Sequence, residues 1–345
     1  MRKLKCFLRQ LGKLTAIAFW EMICRNCLKL DWKNMSTNYL QNKKHVIALA
    51  WTWIALLLIG CSAISLSRTD FAGLVDIGGD RKIYLECRGI GSPTIVLVSG
   101  TGGASDEWTH TLNPANPDSD PIPSDSAIFP QVSRFTRVCA YDRPGTARFD
   151  GALSSSSFVS QPTTAQDGVS DLHALLNAAK ESGPYILVGA SWGGMIVKLY
   201  ASTYPDEVSG LVFVDSASEF LETTFTPTQW ADWMNKIQGM LSTKNVEVPD
   251  YESSVQQVRN RPILQNIPTV VLTSDKPWDL QVGESGSTWS AWLEAQVRLA
   301  SQLGATHISN TNSGHGIAIE QPQLVVDAIR RVVDASRSRK STSPN

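Results

Sequence analysis

The segment Gly189-Ala190-Ser191-Trp192-Gly193 constrains the fold of this chain more than any other feature. The apolar run 185–189 before it is typical of a buried strand, and the small and apolar residues of 192–204 are typical of a helix. A serine on so tight a strand-to-helix turn needs glycines two residues away on either side, because side chains there would block the reversal of the chain. We therefore predict that Ser191 presents its hydroxyl at the end of a strand, as a nucleophile.

The rest of the chain after residue 70 alternates strand-like and helix-like segments, which predicts a mainly parallel sheet with helices on both faces. Strands are expected at 74–77, 82–87, 94–99, 135–141, 185–189, 210–214, 269–273 and 306–310. Helices are expected at 163–180, 192–204, 289–302 and 322–336. Because residues 216–267 interrupt the alternation, we predict one α/β domain over 70–336 with a helical cap insertion at about 217–267, then a polar tail at 337–345.

Three further segments resemble motifs of the α/β-hydrolase family. VLVSGTGG at 96–103 resembles the strand and loop that carry the oxyanion hole, and RVCAYDRPG at 137–145 resembles the family's strand ending in Asp-Arg-x-Gly. SGHGIAIEQP at 313–322 resembles the loop that carries the catalytic histidine. The chain departs from the family at Ser99 and Ala190, where many relatives have histidine. The resemblance covers residues 74–336 and implies an α/β-hydrolase fold with a mainly parallel eight-stranded sheet.

The resemblance also implies a role for individual residues. Ser191 would attack an acyl carbonyl, and His315 would act as the general base. The backbone N–H groups of Trp192 and Thr101 would hold the oxyanion of the tetrahedral intermediate. His173, on a predicted helix, and His307, in a predicted strand, are expected to be structural.

The acid that would orient His315 stays open among three aspartates. Most relatives place it shortly after the seventh strand, where this chain reads TVVLTSDKPWD with Pro277 at the expected position. Asp275 lies two residues before that position and Asp279 two residues after it. Some relatives place the acid after the sixth strand, where VFVDSAS supplies Asp215. We favour Asp215, with Asp275 as the second candidate.

Five of the eleven tryptophans fall between residues 230 and 292: Trp230, Trp233, Trp278, Trp289 and Trp292. They are expected either to form an aromatic lid over an acyl pocket or to pack the cap onto the sheet. Asp142 and Arg143 lie near the rim of such a pocket, and we expect them to form an internal ion pair rather than to bind a substrate carboxylate.

Only two of the six cysteines, Cys87 and Cys139, lie in the predicted domain. The resemblance places them on neighbouring strands, but disulfide bonds between adjacent strands are geometrically demanding, so we do not expect these two residues to be bonded. No group of cysteines and histidines has the spacing of metal ligands. We therefore expect neither a metal nor an organic cofactor.

The first 67 residues differ from the rest in charge and hydropathy. Residues 1–44 carry a net charge of about +8 and the remaining 301 residues about -9, which disfavours a nucleic-acid partner for the folded part. Residues 46–67 are 22 residues without a charge, long enough to cross a hydrocarbon core of ~30 Å. Because Lys43 and Lys44 precede this stretch, the N-terminus is expected to be cytoplasmic and the domain periplasmic or extracellular.

Two interpretations of this N-terminal part stay open. Residues 45–67 are either an uncleaved transmembrane anchor behind a basic stub at 1–44, or part of a secretory signal that starts at Met35. In the second case Leu58-Ile59-Gly60-Cys61, which resembles a bacterial lipobox, would make the protein a lipoprotein at Cys61.

The sequence as a whole predicts a membrane-anchored serine hydrolase that cleaves an ester, thioester or amide of a small acyl substrate through an acyl-enzyme. One alternative is an acyltransferase, which passes the acyl group to an acceptor other than water. The other is a catalytically silent α/β-hydrolase that binds ligands or partners, which the departures at Ser99 and Pro277 favour.

Overall fold

The computed structural model of the protein describes residues 69–243, 245–262, 266–278 and 287–342. The basic stub at 1–44, the apolar segment at 45–67 and Cys61 lie outside these residues, so the expectations that rest on them stay predictions. Among the described helices, none has the length and apolar character that crossing a membrane requires.

An eight-stranded sheet forms the centre of the described domain, in the order β1-β2-β6-β3-β7-β8-β9-β10. Its strands are β1 Phe71–Gly78, β2 Arg81–Arg88, β3 Thr94–Val98, β6 Val138–Asp142, β7 Tyr185–Ala190, β8 Val208–Val214, β9 Thr269–Leu272 and β10 Thr306–Ile308. Two two-residue strands, β4 His110–Thr111 and β5 Ile122–Pro123, pair outside it. Only β1 with β2 and β2 with β6 are antiparallel within the main sheet, so the predicted mainly parallel sheet is confirmed.

Nine α-helices lie within the described residues. They are α1 Ile128–Val132, α2 Ala165–Ala178, α3 Gly193–Thr203, α4 Leu221–Thr224, α5 Pro227–Gly239, α6 Tyr251–Arg259, α7 Trp289–Leu303, α8 Ile317–Glu320 and α9 Pro322–Thr342. Three of them, α4 to α6, lie in the predicted cap insertion, hereafter the cap (residues 217–267). The sequence did not predict α1 and α8, because five and four residues are too few to show a helical period.

The central strands are buried over their whole length, which suits a parallel sheet covered on both faces. Every residue of β3 and β7 is buried. On one face the sheet packs against α2, α3 and α7, with Leu172, Leu199 and Leu299 among the contacts. On the other face it packs against α1 and α9, through residues such as Phe129 and Ile329. The predicted placement of helices on both faces is therefore confirmed.

Cys87 in β2 and Cys139 in β6 form a disulfide bond, contrary to our expectation of two free thiols. They are direct partners in the antiparallel register, and their Cα atoms are 4.1 Å apart. Antiparallel pairs without mutual hydrogen bonds bring their side chains closer than hydrogen-bonded pairs do. The expectation was wrong because it weighed adjacent strands in general and not this close type of pair.

The last helix also differs from expectation. We predicted a polar tail from residue 337, but α9 continues to Thr342. Arg337 explains part of this continuation, because its guanidinium donates hydrogen bonds to the carbonyl oxygens of Ser92 and Phe135.

The parallel strands end at one edge of the sheet, and the residues with candidate roles follow those ends. Ser191 comes after β7 and Asp215 after β8, while Asp275 follows β9 and His315 follows β10. Residues 99–104, hereafter the β3 loop, follow β3. Ligand sites of open α/β sheets lie outside the carboxyl ends of the strands, so a site is expected at this edge.

Candidate active site

Ser191 occupies the predicted tight turn between β7 and α3. Its φ of 47° lies in the left-handed region, which is unusual for a residue with a side chain. A Cβ at Gly189 would lie 2.7 Å from the carbonyl oxygen of Gly193, and one at Gly193 would lie 2.2 Å from that of Val98. These close backbone contacts explain why the glycines flank the serine.

Asp215 and His315 meet at the same edge. Oδ2 of Asp215 lies 2.7 Å from Nδ1 of His315, and because a carboxylate only accepts hydrogen bonds, Nδ1 is the donor. The Asp215 side chain is 0% exposed, and its other oxygen accepts the backbone N–H of Ser274 at 3.0 Å. Nε2 of the imidazole is thereby left as the ring nitrogen that can accept a proton.

Asp275, the second candidate, has different partners. Its exposed carboxylate accepts the backbone N–H of Ser313 at 3.0 Å. Backbone N–H groups of Asn312 and Ser313 hold the pKa of this carboxyl below its usual range. Within the described residues Asp275 makes no hydrogen bond or ion pair with His315, and Asp279 lies outside them. The structure thus brings Asp215 to the histidine and gives Asp275 a place in the loop before it.

Ser191 and His315 line one cavity of about 440 Å³. Its wall is mainly apolar and aromatic, with Phe149, Trp233, Ile237, Met240, Tyr251, Trp278, Trp292 and Ile319 among the lining residues. The cap supplies part of this wall through α5 and Tyr251. Small-molecule sites commonly have this character, an apolar enclosure with a few polar groups at defined positions.

The five clustered tryptophans divide between the two predicted uses. Trp233, Trp278 and Trp292 line the cavity. Trp230 and Trp289 do not line it, and they pack against the rings of Phe225 and Trp278. The Trp278 ring stacks on the His315 imidazole, with centroids 3.9 Å apart and an angle of 28° between the planes. The tryptophans therefore shape the cavity and hold the histidine as well as packing the cap.

The β3 loop forms another side of the cavity. The N–H of Gly100 donates to the Glu107 carboxylate at 2.9 Å, and the N–H of Gly102 donates to Glu247 at 2.7 Å. The N–H of Thr101 between them has no acceptor within the described part of the chain. Thr101 lines the cavity, so this N–H is a donor without a partner beside the cavity wall, and its role as an oxyanion donor stays a prediction.

The second predicted donor, Trp192, directly follows Ser191 at the start of α3. Its backbone N–H also has no acceptor among the described residues, and the helix dipole adds positive potential at this end. Gly100 brings the β3 loop up to the serine, since a Cβ there would lie 3.1 Å from that of Ser191. The structure therefore places Trp192 and the β3 loop that carries Thr101 beside Ser191.

Ser99, where relatives often have histidine, has a structural role. Its hydroxyl accepts the indole N–H of Trp108 and donates to the carbonyl of Ala104, both at 2.8 Å. Both bonds are buried, and the bond to Ala104 ties the two ends of the β3 loop together. The departure at this position thus leaves a well-defined loop.

Asp142 and Arg143 are both in internal ion pairs, although not with each other. Asp142 accepts from Arg148 at 3.0 Å, while Arg143 donates two hydrogen bonds to Glu247, at 2.5 and 2.9 Å. Arg143 is 4% exposed at its side chain, so it is not available to a substrate carboxylate. The predicted ion pair between Asp142 and Arg143 was therefore wrong, because each side chain pairs with a partner that is distant or later in the chain, Glu247 for Arg143 and Arg148 for Asp142.

Sequence reasoning missed two carboxylates of this site, Glu107 and Glu247. Glu107 lines the cavity, and burial raises the pKa of its carboxyl although the N–H of Gly100 acts in the opposite direction. Glu107 belongs to a turn directly after the β3 loop, which was the only local signal for it. Glu247 lies 145 residues from its partner Gly102, and no motif marks it.

The remaining described histidines lie outside this arrangement. His173 stacks on Tyr204 with centroids 4.0 Å apart, and Nε2 of His307 lies 2.8 Å from the hydroxyl of Thr273. His110 contacts the carbonyl oxygen of Asp106 at 3.0 Å. Among the described residues one group has the spacing of metal ligands, Cys87, Cys139 and Glu181, but its two sulfurs are joined in the disulfide.

The amino-acid sequence shows relatives over most of the domain. Residues 93–244 match the sequence profile of a family described as alpha/beta hydrolase fold. An uncharacterized protein of Bacillus subtilis is 27% identical over 244 residues, which cover 70% of this chain and 84% of that protein. One from Schizosaccharomyces pombe is 34% identical over 149 residues, covering 40% of this chain and 26% of that protein. The chain therefore spans about a quarter of the length of this yeast relative.

The fold also has relatives among solved structures. A candidate lipase from Acinetobacter baumannii AYE is similar with a TM-score of 0.53 and 18% sequence identity, over 79% of this chain and 93% of that protein. At such low identity the similarity is one of fold. The profile match over residues 93–244, the order of the eight strands and the serine on its tight turn agree, and the described domain has the α/β-hydrolase fold.

Proposed function

We propose that the protein is a serine hydrolase that cleaves an acyl bond, in the first place an ester, through Ser191, His315 and Asp215. The observation that carries this proposal is the 2.7 Å hydrogen bond from His315 to a fully buried Asp215, on a histidine that shares one cavity with Ser191. A nucleophile, a base and a group that orients the base are the three parts that acyl transfer needs.

The reaction proceeds in two halves. Nε2 of His315 takes the proton of the Ser191 hydroxyl as Oγ attacks the carbonyl carbon, and the N–H groups of Trp192 and Thr101 hold the resulting oxyanion. The intermediate collapses to an acyl-serine, and the leaving alcohol receives the proton from His315. Water then gives a proton to His315 and attacks the acyl-serine, and the second oxyanion is held by the same N–H groups. As the bond between the acyl carbon and Oγ breaks, His315 returns the proton to Oγ, which releases the acid and restores Ser191.

Two groups beside His315 interact with the positive charge that its ring carries in both halves of the reaction. The buried Asp215 carboxylate holds the ring in one tautomer and faces the positive charge that forms on it. The indole of Trp278 stacks on the imidazole, and an aromatic face attracts a cation. Both interactions are stronger for the transition state than for the free enzyme, which is the condition for catalysis.

The cavity supports a substrate with an apolar acyl or alcohol part. Its volume of about 440 Å³ suits a small molecule, and its aromatic wall gives such a group an apolar contact surface.

The location of the enzyme is a second proposal, which rests on residues before the described domain. The uncharged stretch 46–67 after a basic segment supports a membrane attachment with the domain on the non-cytoplasmic side. The disulfide of Cys87 and Cys139 supports the same location, because such bonds persist in oxidising compartments. Cell fractionation followed by protease treatment of intact cells or spheroplasts tests this location. The proposal would be contradicted if the protease left the domain uncut in the same way as cytoplasmic marker proteins.

A fluorophosphonate probe tests the catalytic proposal. The wild-type protein should be labelled, and Ser191→Ala should abolish labelling while circular dichroism shows that the variant is folded. Ser170→Ala, at an exposed serine of α2, is the control and should be labelled like the wild type. Folded wild-type protein that takes up no label would contradict the hydrolase and support the silent binding module. Labelled protein whose acyl group passes to an added alcohol in preference to water would support the acyltransferase.

A further inference from the structure

The guanidinium of Arg143 binds backbone carbonyl groups of the β3 loop. One guanidinium nitrogen donates to the carbonyl oxygen of Ser99 at 2.9 Å, and another donates to that of Gly100 at 2.6 Å. Two successive carbonyl groups are thereby turned toward the interior of the protein. The planar guanidinium can make these contacts and still reach a carboxylate with its other N–H groups, which the single ammonium of a lysine cannot do.

The carboxylate that Arg143 reaches is Glu247, which belongs to the cap. The pair is joined at 2.5 and 2.9 Å, and both side chains are buried, with 4% and 2% of their surface exposed. The same Glu247 oxygen that accepts from Arg143 at 2.9 Å also accepts the N–H of Gly102 at 2.7 Å. The ion pair therefore contacts the β3 loop at Ser99, Gly100 and Gly102.

Among the backbone N–H groups of residues 100 to 104, all but one have an acceptor. Glu107 and Glu247 accept those of Gly100 and Gly102, and carbonyl oxygens accept the next two. The N–H of Thr101 is the one without an acceptor in the described part of the chain. Because the N–H groups of its neighbours on both sides are hydrogen-bonded to carboxylates, and Arg143 holds the Gly100 carbonyl, the peptide of Thr101 is held in one orientation.

The cap segment that carries Glu247 is itself fixed to the domain. The N–H of Glu247 donates to the carbonyl of Gly145 at 2.8 Å, and that of Val248 donates to the Gln161 side chain at 2.8 Å. The segment also packs so closely that a Cβ at Gly145 would lie 2.7 Å from the backbone nitrogen of Glu247. The position of Glu247 is thus set by backbone contacts and does not depend on the conformation of a long surface side chain.

We propose that Glu247 of the cap, acting through Arg143 and Gly102, is a positioning residue that sets the Thr101 N–H as an oxyanion donor. This inference rests on the proposed function. Its consequence is that full catalytic rate requires the cap segment to be seated, because the cap supplies the charge that holds the β3 loop. A donor displaced from its position stabilises the transition state less while substrate contacts in the aromatic cavity persist.

The chain offers a matched control pair in Arg137 and Glu181. This pair is also buried, with 3% and 6% of the side chains exposed, and the Arg137 guanidinium also donates to two backbone carbonyl groups, those of Thr69 and Gly89. Arg137 precedes β6 and Glu181 follows α2, and neither residue lines the candidate cavity. Glu181→Gln therefore imposes the same kind of structural loss as Glu247→Gln away from the reaction.

The test compares Glu247→Gln with Glu181→Gln in ester hydrolysis and in binding of a boronic acid, which forms a tetrahedral adduct with an active serine. We expect Glu247→Gln to lower kcat by about 10- to 100-fold, to change KM by less than about threefold, and to weaken boronic acid binding by about the factor lost in kcat. Glu181→Gln should lower the melting temperature and leave kcat and boronic acid binding unchanged. Should either glutamine variant fail to fold, Glu247→Asp and Glu181→Asp replace the two, since a shorter carboxylate keeps the charge but displaces its contacts.

Suppose that the wild type is active, but that the Glu247 variant has the same kcat as the Glu181 variant or changes only KM. This result would overturn the positioning role and leave the hydrolase proposal intact. A wild type that neither hydrolyses esters nor binds the boronic acid would contradict the proposed function, and the positioning role with it.

Discussion

The carboxylate of Asp215 lies 2.7 Å from Nδ1 of His315, although 100 residues separate the two in the chain. Asp215 follows β8, one strand earlier than the position that most relatives use. Its own backbone has a φ of 41°, and its second oxygen is held by the N–H of Ser274, which follows β9. The position of Asp215 is therefore fixed by residues that follow two strands, β8 and β9. Its free oxygen accepts the hydrogen bond from His315.

Replacing Asp215 by asparagine should reduce kcat by ~10⁴-fold with little change in KM. The amide can present its N–H₂ group to Nδ1, which then becomes an acceptor and leaves the proton on Nε2, the nitrogen that must accept one. Steady-state ester hydrolysis measures the loss. The control is Asp275→Asn, which should keep kcat within about tenfold of the wild type because Asp275 does not contact His315. A loss of the larger size in Asp275→Asn alone would reverse the assignment.

Glu107→Gln should stabilise the protein at neutral pH. Because burial raises the folded-state pKa of Glu107, ionisation of this carboxyl opposes folding, and its contribution to stability is lost as pH rises above the unfolded value of about 4.3 through the folded pKa. Glutamine keeps an acceptor for the N–H of Gly100 and carries no charge. The melting temperature of the variant relative to wild type should therefore rise as pH increases above the unfolded value of about 4.3. A difference that does not change over this range would contradict the account.

Asp275→Asn should show the opposite pH dependence. Its folded-state pKa is lowered by backbone N–H groups of Asn312 and Ser313, so its contribution to stability is present above the unfolded value and lost as pH falls through the folded pKa. The melting temperature of the variant should fall below that of the wild type at neutral pH, and the two should converge in acid. Convergence at neutral pH instead would show that Asp275 does not hold the loop before His315.

Trp233→Ala should shift the substrate preference toward longer acyl chains. The indole stacks on Trp292 with centroids 6.2 Å apart and lines the cavity, so its removal enlarges the space available to the substrate. The ratio of kcat/KM for p-nitrophenyl octanoate to that for p-nitrophenyl butyrate measures the shift. Trp230→Ala, in the same helix but outside the cavity, is the control and should leave the ratio unchanged. An equal shift in both variants would mean that the cap as a whole, and not the Trp233 ring, sets the length.

Removing the disulfide should lower stability without changing the reaction. The bond links residues that are 52 positions apart, and closing a loop of this size typically contributes about 2–4 kcal/mol to the free energy of unfolding. Neither cysteine lines the cavity. Cys87→Ala combined with Cys139→Ala should therefore unfold at lower denaturant concentration and keep its kcat well below the melting temperature. A reductant should destabilise the wild type and not the double variant, and an equal effect on both would show that the bond is not formed in solution.

Local sequence predicted the parts of this site that depend on local geometry. The turn around Ser191 follows from its own glycines, and the strands follow from apolar runs such as that of β3. The aspartate that pairs with His315 was harder to predict. Three aspartates follow β8 and β9, and only the hydrogen bond between His315 and Asp215 distinguishes them.

The contacts that fix the β3 loop were not predictable from any single segment. Glu247 is one polar residue in a cap without a motif, and its role depends on a partner 145 residues away. The prediction that Cys87 and Cys139 are not bonded failed for a related reason, since the separation of the two residues depends on which type of cross-strand pair the register makes. Long-range register and burial, rather than composition, decide such contacts.

Mass spectrometry of the protein can show whether Ser191 forms an acyl-enzyme. The protein is mixed with p-nitrophenyl butyrate, quenched in acid within the first turnover, and digested to locate the adduct. The account predicts one butyryl group per chain on the peptide that contains Ser191, and none in Ser191→Ala. Hydrolysis of the ester without an adduct on that peptide, or with an adduct on another residue, would contradict it.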